Sequence, residues 1–328
     1  MNLMNVTKII AAAATLTAAL QGPAQAADYP SKDIMHIMPW SAGGGTDTVM
    51  RSFLSFAEEP LGVGINTQNI TGAQSGVGTL RLMKSRPDGY TIGSLTWDSV
   101  ITVPYNDLVP GYDTEQLAYL GAVTVHPTAI IVRADAPFTT VEEFVEAAKA
   151  TPGTLKISNV GLGGVWHLPA LDFAKQAEID VQHIPYPKGS GPQVEGLLSG
   201  ETDAASTSIS AAYSAIQSGQ ARVLAVMADE RSDEFPDVPT FKESGYDVVW
   251  GGFRLLATQA EVDAEQRATL EAAFAKVFDD PEFQKVAADT GMGAVWMNAE
   301  ETAAYVEASQ KKAFALTDEL VEAGLLSE

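Results

Sequence analysis

Ile37-Met38-Pro39-Trp40-Ser41-Ala42-Gly43-Gly44-Gly45-Thr46-Asp47 decides how the rest of this chain is read. The apolar run from Ile34 to Met38 stops at a proline and three glycines, and Thr46 and Asp47 then open an amphipathic segment. That order predicts strand, tight loop, helix. The glycines let the backbone turn sharply and bring its N–H groups close to a guest. The helix that follows aims the positive end of its dipole at the same place, which suits an anion. Taken alone, the residues also fit an ordinary βα turn capped by Thr46 or Asp47.

Outward from this stretch the same order recurs. Val49 to Glu58 spaces Val49, Phe53, Leu54 and Phe56 helically, Val63 to Ile70 reads as a strand, and Thr71 to Gly76 as a loop. A helix over 77–84, a turn at Pro87-Asp88-Gly89 and a strand over 90–95 lead into Thr96-Trp97-Asp98-Ser99. Three such repeats predict a parallel sheet with its loops gathered at the carboxyl ends. The order restarts near residue 126. Strand 128–132, a helix capped by Thr139 or Thr140, and strand 155–158 enter the loop Asn159 to Gly164. Helix 167–178, strand 181–184 and the loop Pro185 to Ser190 follow, then helix 193–198, strand 203–207, helix 211–217 and strand 222–227. Residues 248–257 read as a strand returning to the first lobe, and the remainder is mostly helical. The expectation is an α/β chain of two lobes, 27–125 plus 252–328 and 126–251, with a hinged cleft between them.

Lys8, the apolar run Ile9 to Leu20 and Ala24-Gln25-Ala26 have the pattern of a secretory signal peptide, cleaved after Ala26 and too short for a membrane span. The chain has no cysteine. That excludes disulfides and an anchor through an N-terminal Cys, and it fits a Gram-negative periplasm. From Ala27 onward 19 of the 20 Lys and Arg residues and all 42 Asp and Glu residues remain, a formal charge of −23. Such a field argues against nucleic acid or anionic lipid as partner. An anion binds here only where local dipoles overcome the field. No later segment has ~18 consecutive apolar residues, so the mature chain is expected to be soluble. Its length exceeds what one compact core usually holds, which is a second reason to expect two lobes.

The chemistry-bearing residues are few. His36, His126, His167 and His183 show no metal-ligand spacing, and no metal is expected. His167 follows a glycine loop at a helix start, where it either lines the cleft or caps. There is no G-x-S-x-G elbow and no P-loop lysine, and Gly72 to Gly78 matches a dinucleotide fingerprint only loosely. What remains is backbone N–H groups, hydroxyls and some cations around a cleft, equipment that holds a ligand without an evident proton-transfer pair or nucleophile. Ser206, Thr207, Ser208 and Ser210 end a strand at the expected cleft, where hydroxyls can donate to carboxylate oxygens. Arg254 in the returning strand can clamp a carboxylate or face solvent, and Lys188 offers a flexible cation beside a glycine turn. Trp40, Trp97 and Trp166 adjoin the loops, as walls around a ligand or as core.

The ordered set of motifs resembles the Bug/TctC family of periplasmic solute-binding proteins, which serve tripartite tricarboxylate transporters. It runs from Met38–Asp47 through Pro87-Asp88-Gly89-Tyr90-Thr91, Gly161–Leu168 and Pro185-Tyr186 with Gly189 and Pro192. Leu197–Asp203, Leu224-Ala225-Val226 and Asp237-Val238-Pro239-Thr240 complete it. The resemblance spans essentially the whole mature chain. It implies a periplasmic-binding-protein fold of type II-like form, with two mixed sheets flanked by helices, closing on a small carboxylate without cofactor or catalysis. It carries over to Ser41, Ala42, Gly43, Gly44, Ala73 and Thr96 in the first lobe. In the second lobe it points to Gly163, Gly164, the turn Lys188-Gly189-Ser190 and Thr207. It implies delivery by a monomer to a permease with one large and one small subunit. Many members carry Ser or Thr where Gly164 stands and Asp where Thr207 falls, and Pro187 lengthens the second-lobe turn. Losing that Asp favours a di- or tricarboxylate such as citrate over an amino acid. The rival readings are a periplasmic hydrolase or lyase using His167, and a binding protein feeding a sensor kinase or an ABC permease.

Overall fold

A computed structural model describes residues 29–186, 189–232, 235–324 and 326. The expected signal segment 1–26 and Lys188 lie outside the described residues. Strand β1 (Ile34–Met38) leads through the first glycine loop into α1 (Gly45–Leu61), and β2 (Ile65–Asn69) is followed by α2 (Gly76–Met83). Then β3 (Thr91–Thr96) ends at a π-helical turn, Asp98–Thr102. β1 pairs in parallel with β2 and β3, so the loops after these strands share one edge of the sheet, as the pattern predicted.

The element that the sequence reading missed is the longest strand, β4 (Leu117–Arg133, 17 residues), of which only 128–132 was expected. Pro127 sits inside it, and a proline inside an apolar run reads as a strand end because it lacks an N–H for the ladder. The structure tolerates it because β4 changes partners there. Residues 117–127 pair antiparallel with β9 (Gly251–Gln259). Residues 128–133 pair antiparallel with β7 (Ala204–Ser208) and β8 (Ala221–Val226). The next amide, Thr128 N–H, donates to Trp250 O at 2.8 Å across the junction.

Around this strand two sections of mixed sheet form, ordered β2-β1-β3-β9-β4 on one side and β4-β7-β5-β6 on the other. β5 (Lys156–Asn159) and β6 (Gln182–Pro185) complete the second section, and β10 (Ala294–Met297) adds to β4 in the first. Helices α3 (Val141–Ala150), α4 (His167–Ala177), α5 (Ser190–Ser199) and α6 (Tyr213–Gln217) belong to the second section. α7 (Ala264–Val277), α8 (Pro281–Asp289) and α9 (Ala299–Glu322) close the chain. Thr140 caps α3, accepting from Glu143 N–H, as one of the two expected threonines.

The first section has a core on each face. Phe53 of α1 meets Phe274, Phe278 and Phe283 over Ile34, Ile92 and Leu256. On the other face Leu95, Trp97 and Leu255 pack into a cluster that continues through Trp166, Trp250 and Phe253 into the second section. Trp97 stands 5.8 Å from both Trp250 and Phe253, ring centre to ring centre.

β4 bends at a register shift beside Gly121, whose φ of +143° is glycine territory. A Cβ there would lie 2.3 Å from the Trp296 ring. Gly121→Ala should therefore destabilise the protein by about 2 kcal/mol or more, from strain and overpacking together. Its urea midpoint should fall accordingly; an unchanged midpoint would show that the bend relaxes freely.

Candidate functional site

The loop after β1 is built by Asp47 rather than capped by it: the N-cap is Gly44, with no side-chain cap. The Asp47 carboxylate, 2% exposed, reaches back to accept Gly43 N–H at 2.9 Å, and it also takes Arg51 Nε and Asn69 Nδ2. These hydrogen bonds hold its carboxyl below the ordinary range although burial pushes the other way. Gly44 N–H donates to Ser41 O. The Gly43 and Gly44 amides are thus committed within the loop. The first helical turn, Gly45 to Asp47, has N–H groups with no carbonyl to bond inside the helix. Ser41, Ala42 and Gly43 are exposed. Trp40 Nε1 donates to Thr96 Oγ1 at 3.2 Å, so these two expected site residues come together.

The loop after β2 is strained. Ala73, Gln74 and Ser75 have φ of 45°, 49° and 83°, three consecutive non-glycine residues in the left-handed region. Each costs on the order of 1 kcal/mol, a cost met where neighbouring structure over-determines the loop. Here that structure is Ser75, whose hydroxyl lies 2.8 Å from Ser99 Oγ, which in turn accepts Thr96 N–H. The loops after β2 and β3 are therefore one unit.

In the second section Asn159 Oδ1 accepts Gly161 N–H, and Gly164 N–H donates to Gly161 O. His167 is 2% exposed, and its Nδ1 accepts Gly163 N–H at 2.9 Å. Burial and the neighbouring His183 push its pKa down to about 3, so it is a neutral acceptor that staples the glycine loop. At Gly189, φ 106° and ψ −177° start α5, and Ser190 Oγ lies 3.4 Å from Thr207 Oγ1. Ser208 caps the turn that follows β7 and meets Ser210 Oγ at 2.9 Å.

Arg254 links the two sections. The sheet register sets it between Thr96 and Thr124. Its Nε reaches Thr46 Oγ1 at the start of α1, its Nη1 donates to Thr124 Oγ1, and the same Nη1 meets His126 Nε2. His126 Nδ1 in turn lies 3.5 Å from Ser210 Oγ. Arg254 and Ser208, chosen separately from the sequence, are thus joined through His126 and Ser210. No carboxylate pairs with the guanidinium among the described residues, and burial alone lowers its pKa, to about 10. The Arg254 charge is accordingly held by neutral partners beside a helix N-terminus.

His126 and Asp98 are the candidate site residues that the sequence reading passed over. Asp98 opens the π-helical turn, 9% exposed, and Oδ1 lies 3.7 Å from where a Cβ on Gly164 would stand. No motif marks either one; sheet register and loop contact place them. A separate groove of about 500 Å³, lined by Lys32, Met35, Arg81, Arg86 and Tyr90 among others, lies at the amino ends of β1 and β3. Open α/β sheets bind at the carboxyl ends, so the loops rather than this groove are the candidate site. Among the described residues no group of His, Cys, Asp or Glu converges to hold a metal ion.

The architecture is that of a solute-binding protein of the periplasmic type. Residues 49–321 match the family described as Tripartite tricarboxylate transporter family receptor, and the chain belongs to this TctC family. A relative from Cupriavidus necator, the UPF0065 protein in the gbd 5′ region, is 30% identical over 315 residues, 95% of each chain. A TctC solute-binding protein from Polaromonas, solved without ligand, is 31% identical with a TM-score of 0.76, covering 89% of this chain and all of its own. MatC from Rhodopseudomonas palustris, solved with bound malate, shares the fold at 22% identity, with a TM-score of 0.75 and coverage of 88% and 99%.

His36, His167 and His183 all have pKa values pushed down by burial, to about 3, 3 and 4. Folded-state values below the unfolded one mean that the unfolded chain binds more protons between about pH 4 and 6.5. Stability should thus fall as pH drops through 6.5. His167→Gln, which keeps an acceptor for Gly163 N–H, should show a smaller loss of Tm between pH 7 and 5 than the parent. Equal losses would mean that His167 titrates normally.

Proposed function

We propose that this chain captures a small di- or tricarboxylate, citrate being the first case to test, and delivers it without chemistry to a tripartite tricarboxylate permease of one large and one small subunit. The lobes are residues 27–125 plus 252–328 and residues 126–251, meeting where β4 changes partners. The protein acts as an exported periplasmic monomer, released from its signal segment. The observation that carries this reading is Arg254, a guanidinium without a carboxylate partner among the described residues, in a chain of net charge −22. It stands at the N-terminus of α1 and is tied through His126 and Ser210 to the strand end of the facing lobe. An acidic protein leaves such a cation unpaired where a ligand carboxylate completes it, bidentately, in a mostly desolvated setting. The hydroxyls of Thr207, Ser190 and Ser208 and the free amides at Gly45 and Thr46 add donors suited to further carboxylate oxygens. A family relative in fold holds malate, which is a ligand of this chemistry.

In a thermal-shift screen, di- and tricarboxylates should raise the Tm, a ligand at ~100-fold over its dissociation constant adding ~2.7 kcal/mol. Arg254→Met should abolish the shift, weakening binding by about a hundredfold or more, the loss typical of one partner of a buried charge-assisted contact. A carboxylate that binds Arg254→Met as tightly as the parent rules the clamp out. A Cβ on Gly44 would stand 3.1 Å from Ser41 O. Gly44→Val should weaken binding while leaving the circular dichroism spectrum largely intact.

A further inference from the structure

Asp98 is a buried carboxyl set beside the Gly161–Gly164 loop. It follows β3 directly, two residues beyond Thr96, and its Oδ1 lies 3.7 Å from where a Cβ on Gly164 would stand, against the Gly161–Gly164 loop. Thr102 Oγ1 donates to Oδ1 at 2.8 Å. No cation is paired with it among the described residues. The other elements packed around the turn supply little charge. His167 is neutral and committed to Gly163, and the Tyr112 hydroxyl donates to Ser99 O. Asp318 of α9 is engaged by Tyr105, Gln310 donates to Val100 O, and Arg81 of α2 is exposed. An ionised Asp98 would oppose a dianionic ligand entering between these loops, because like charges repel at short range.

We propose that Asp98 makes capture proton-linked: on closure its carboxyl takes up one proton from solvent and donates a hydrogen bond to the ligand carboxylate not held by Arg254. The inference rests on the carboxylate reading above. Burial raises the Asp98 pKa to about 6 before any ligand arrives, with the Thr102 hydrogen bond pulling the other way, so one proton is within easy reach near neutral pH. Binding that requires the acid form weakens as pH rises above that value, by about tenfold per pH unit, because ligand and proton favour each other reciprocally. The four histidines all lie well below this window and contribute no slope to it.

The test is calorimetric titration of the full mature chain with malate, adipate and citrate between about pH 6.5 and 8.5. Malate and adipate are fully ionised throughout that range, which leaves the protein as the source of any slope. The expected result is an affinity falling about a hundredfold over the two units, with close to one proton taken up per ligand in buffers of different ionisation heat. Asp98→Asn, which keeps a donor and removes the charge, should flatten the profile and bind about a hundredfold more tightly than the parent at the upper pH. Thr102→Val removes a hydrogen bond to the ionised form and should move the onset of weakening to higher pH. If Asp98→Asn does not fold, the parent's proton count and the Thr102→Val shift still decide. A parent profile that is flat, or binding abolished in Asp98→Asn, overturns the proton link while Arg254-dependent binding leaves the carboxylate reading standing. If no acid in the set binds at pH 6.5, the carboxylate reading fails, and this inference with it.

Discussion

One strand carries the geometry of this protein. β4 spends its first eleven residues in one section of sheet and its last six in the other, changing partners at Pro127 and Thr128. Both sets of loops are referred to that single backbone, which joins them through a ladder of hydrogen bonds rather than a flexible tether. The proline fits because the ladder to β9 ends there, and no N–H is needed on that side. β9 returns alongside, bringing Gly251 so close to His126 O that a side chain there would collide, and Gly252 close enough to Trp166 that a Cβ would press on its ring. Trp97, Trp166, Trp250 and Phe253 fill the space behind, an aromatic core continuous between the sections.

That crossing is what creates the electrostatic site. Arg254 lies on β9 just where β4 is about to change sheets, so its guanidinium meets Thr46 from the first glycine loop and His126 from the crossing strand at once. In a protein with 42 acidic residues it would be easy to supply a carboxylate partner, and none is present among the described residues. A charge left with neutral partners in a largely dry pocket loses hydration without regaining it from an ion pair. Such an unpaired guanidinium is the feature on which the proposed anion site rests. The strained turn at Ala73–Ser75, locked by Ser75 and Ser99, belongs to the same design of loops held in place before the ligand arrives. The loop amides behave differently from what their composition suggests. Those of Gly43, Gly44, Gly163 and Gly164 are spent on shaping the loops, through Asp47, Ser41, His167 and Gly161.

Local chemistry made much of this legible. Strand, glycine loop and helix in β1–α1, the Thr140 cap of α3, and the family motifs all depend on residues within a few positions of one another. The same holds for Trp40 beside Thr96 once the parallel sheet is assumed, since loops of neighbouring parallel strands must converge. His126 was visible only as an isolated histidine, and Asp98 only as a member of a polar loop. Neither sits in a spacing that means anything along the chain. Pro127 actively misled, because a proline inside an apolar run argues for an end when considered alone.

What the sequence determined by itself is the kind of molecule: an acidic, cysteine-free α/β chain with glycine and hydroxyl loops at its strand ends, and no assembled nucleophile, phosphate loop or metal spacing. These follow from composition and short-range pattern, which survive without knowing the register of any sheet. Only the tertiary structure decided which cation, histidine and carboxyl lie beside the loops of the candidate site. Arg254 and His126 are brought together by strand pairings between residues more than a hundred positions apart, and a one-residue slip of register would turn Arg254 to the opposite face.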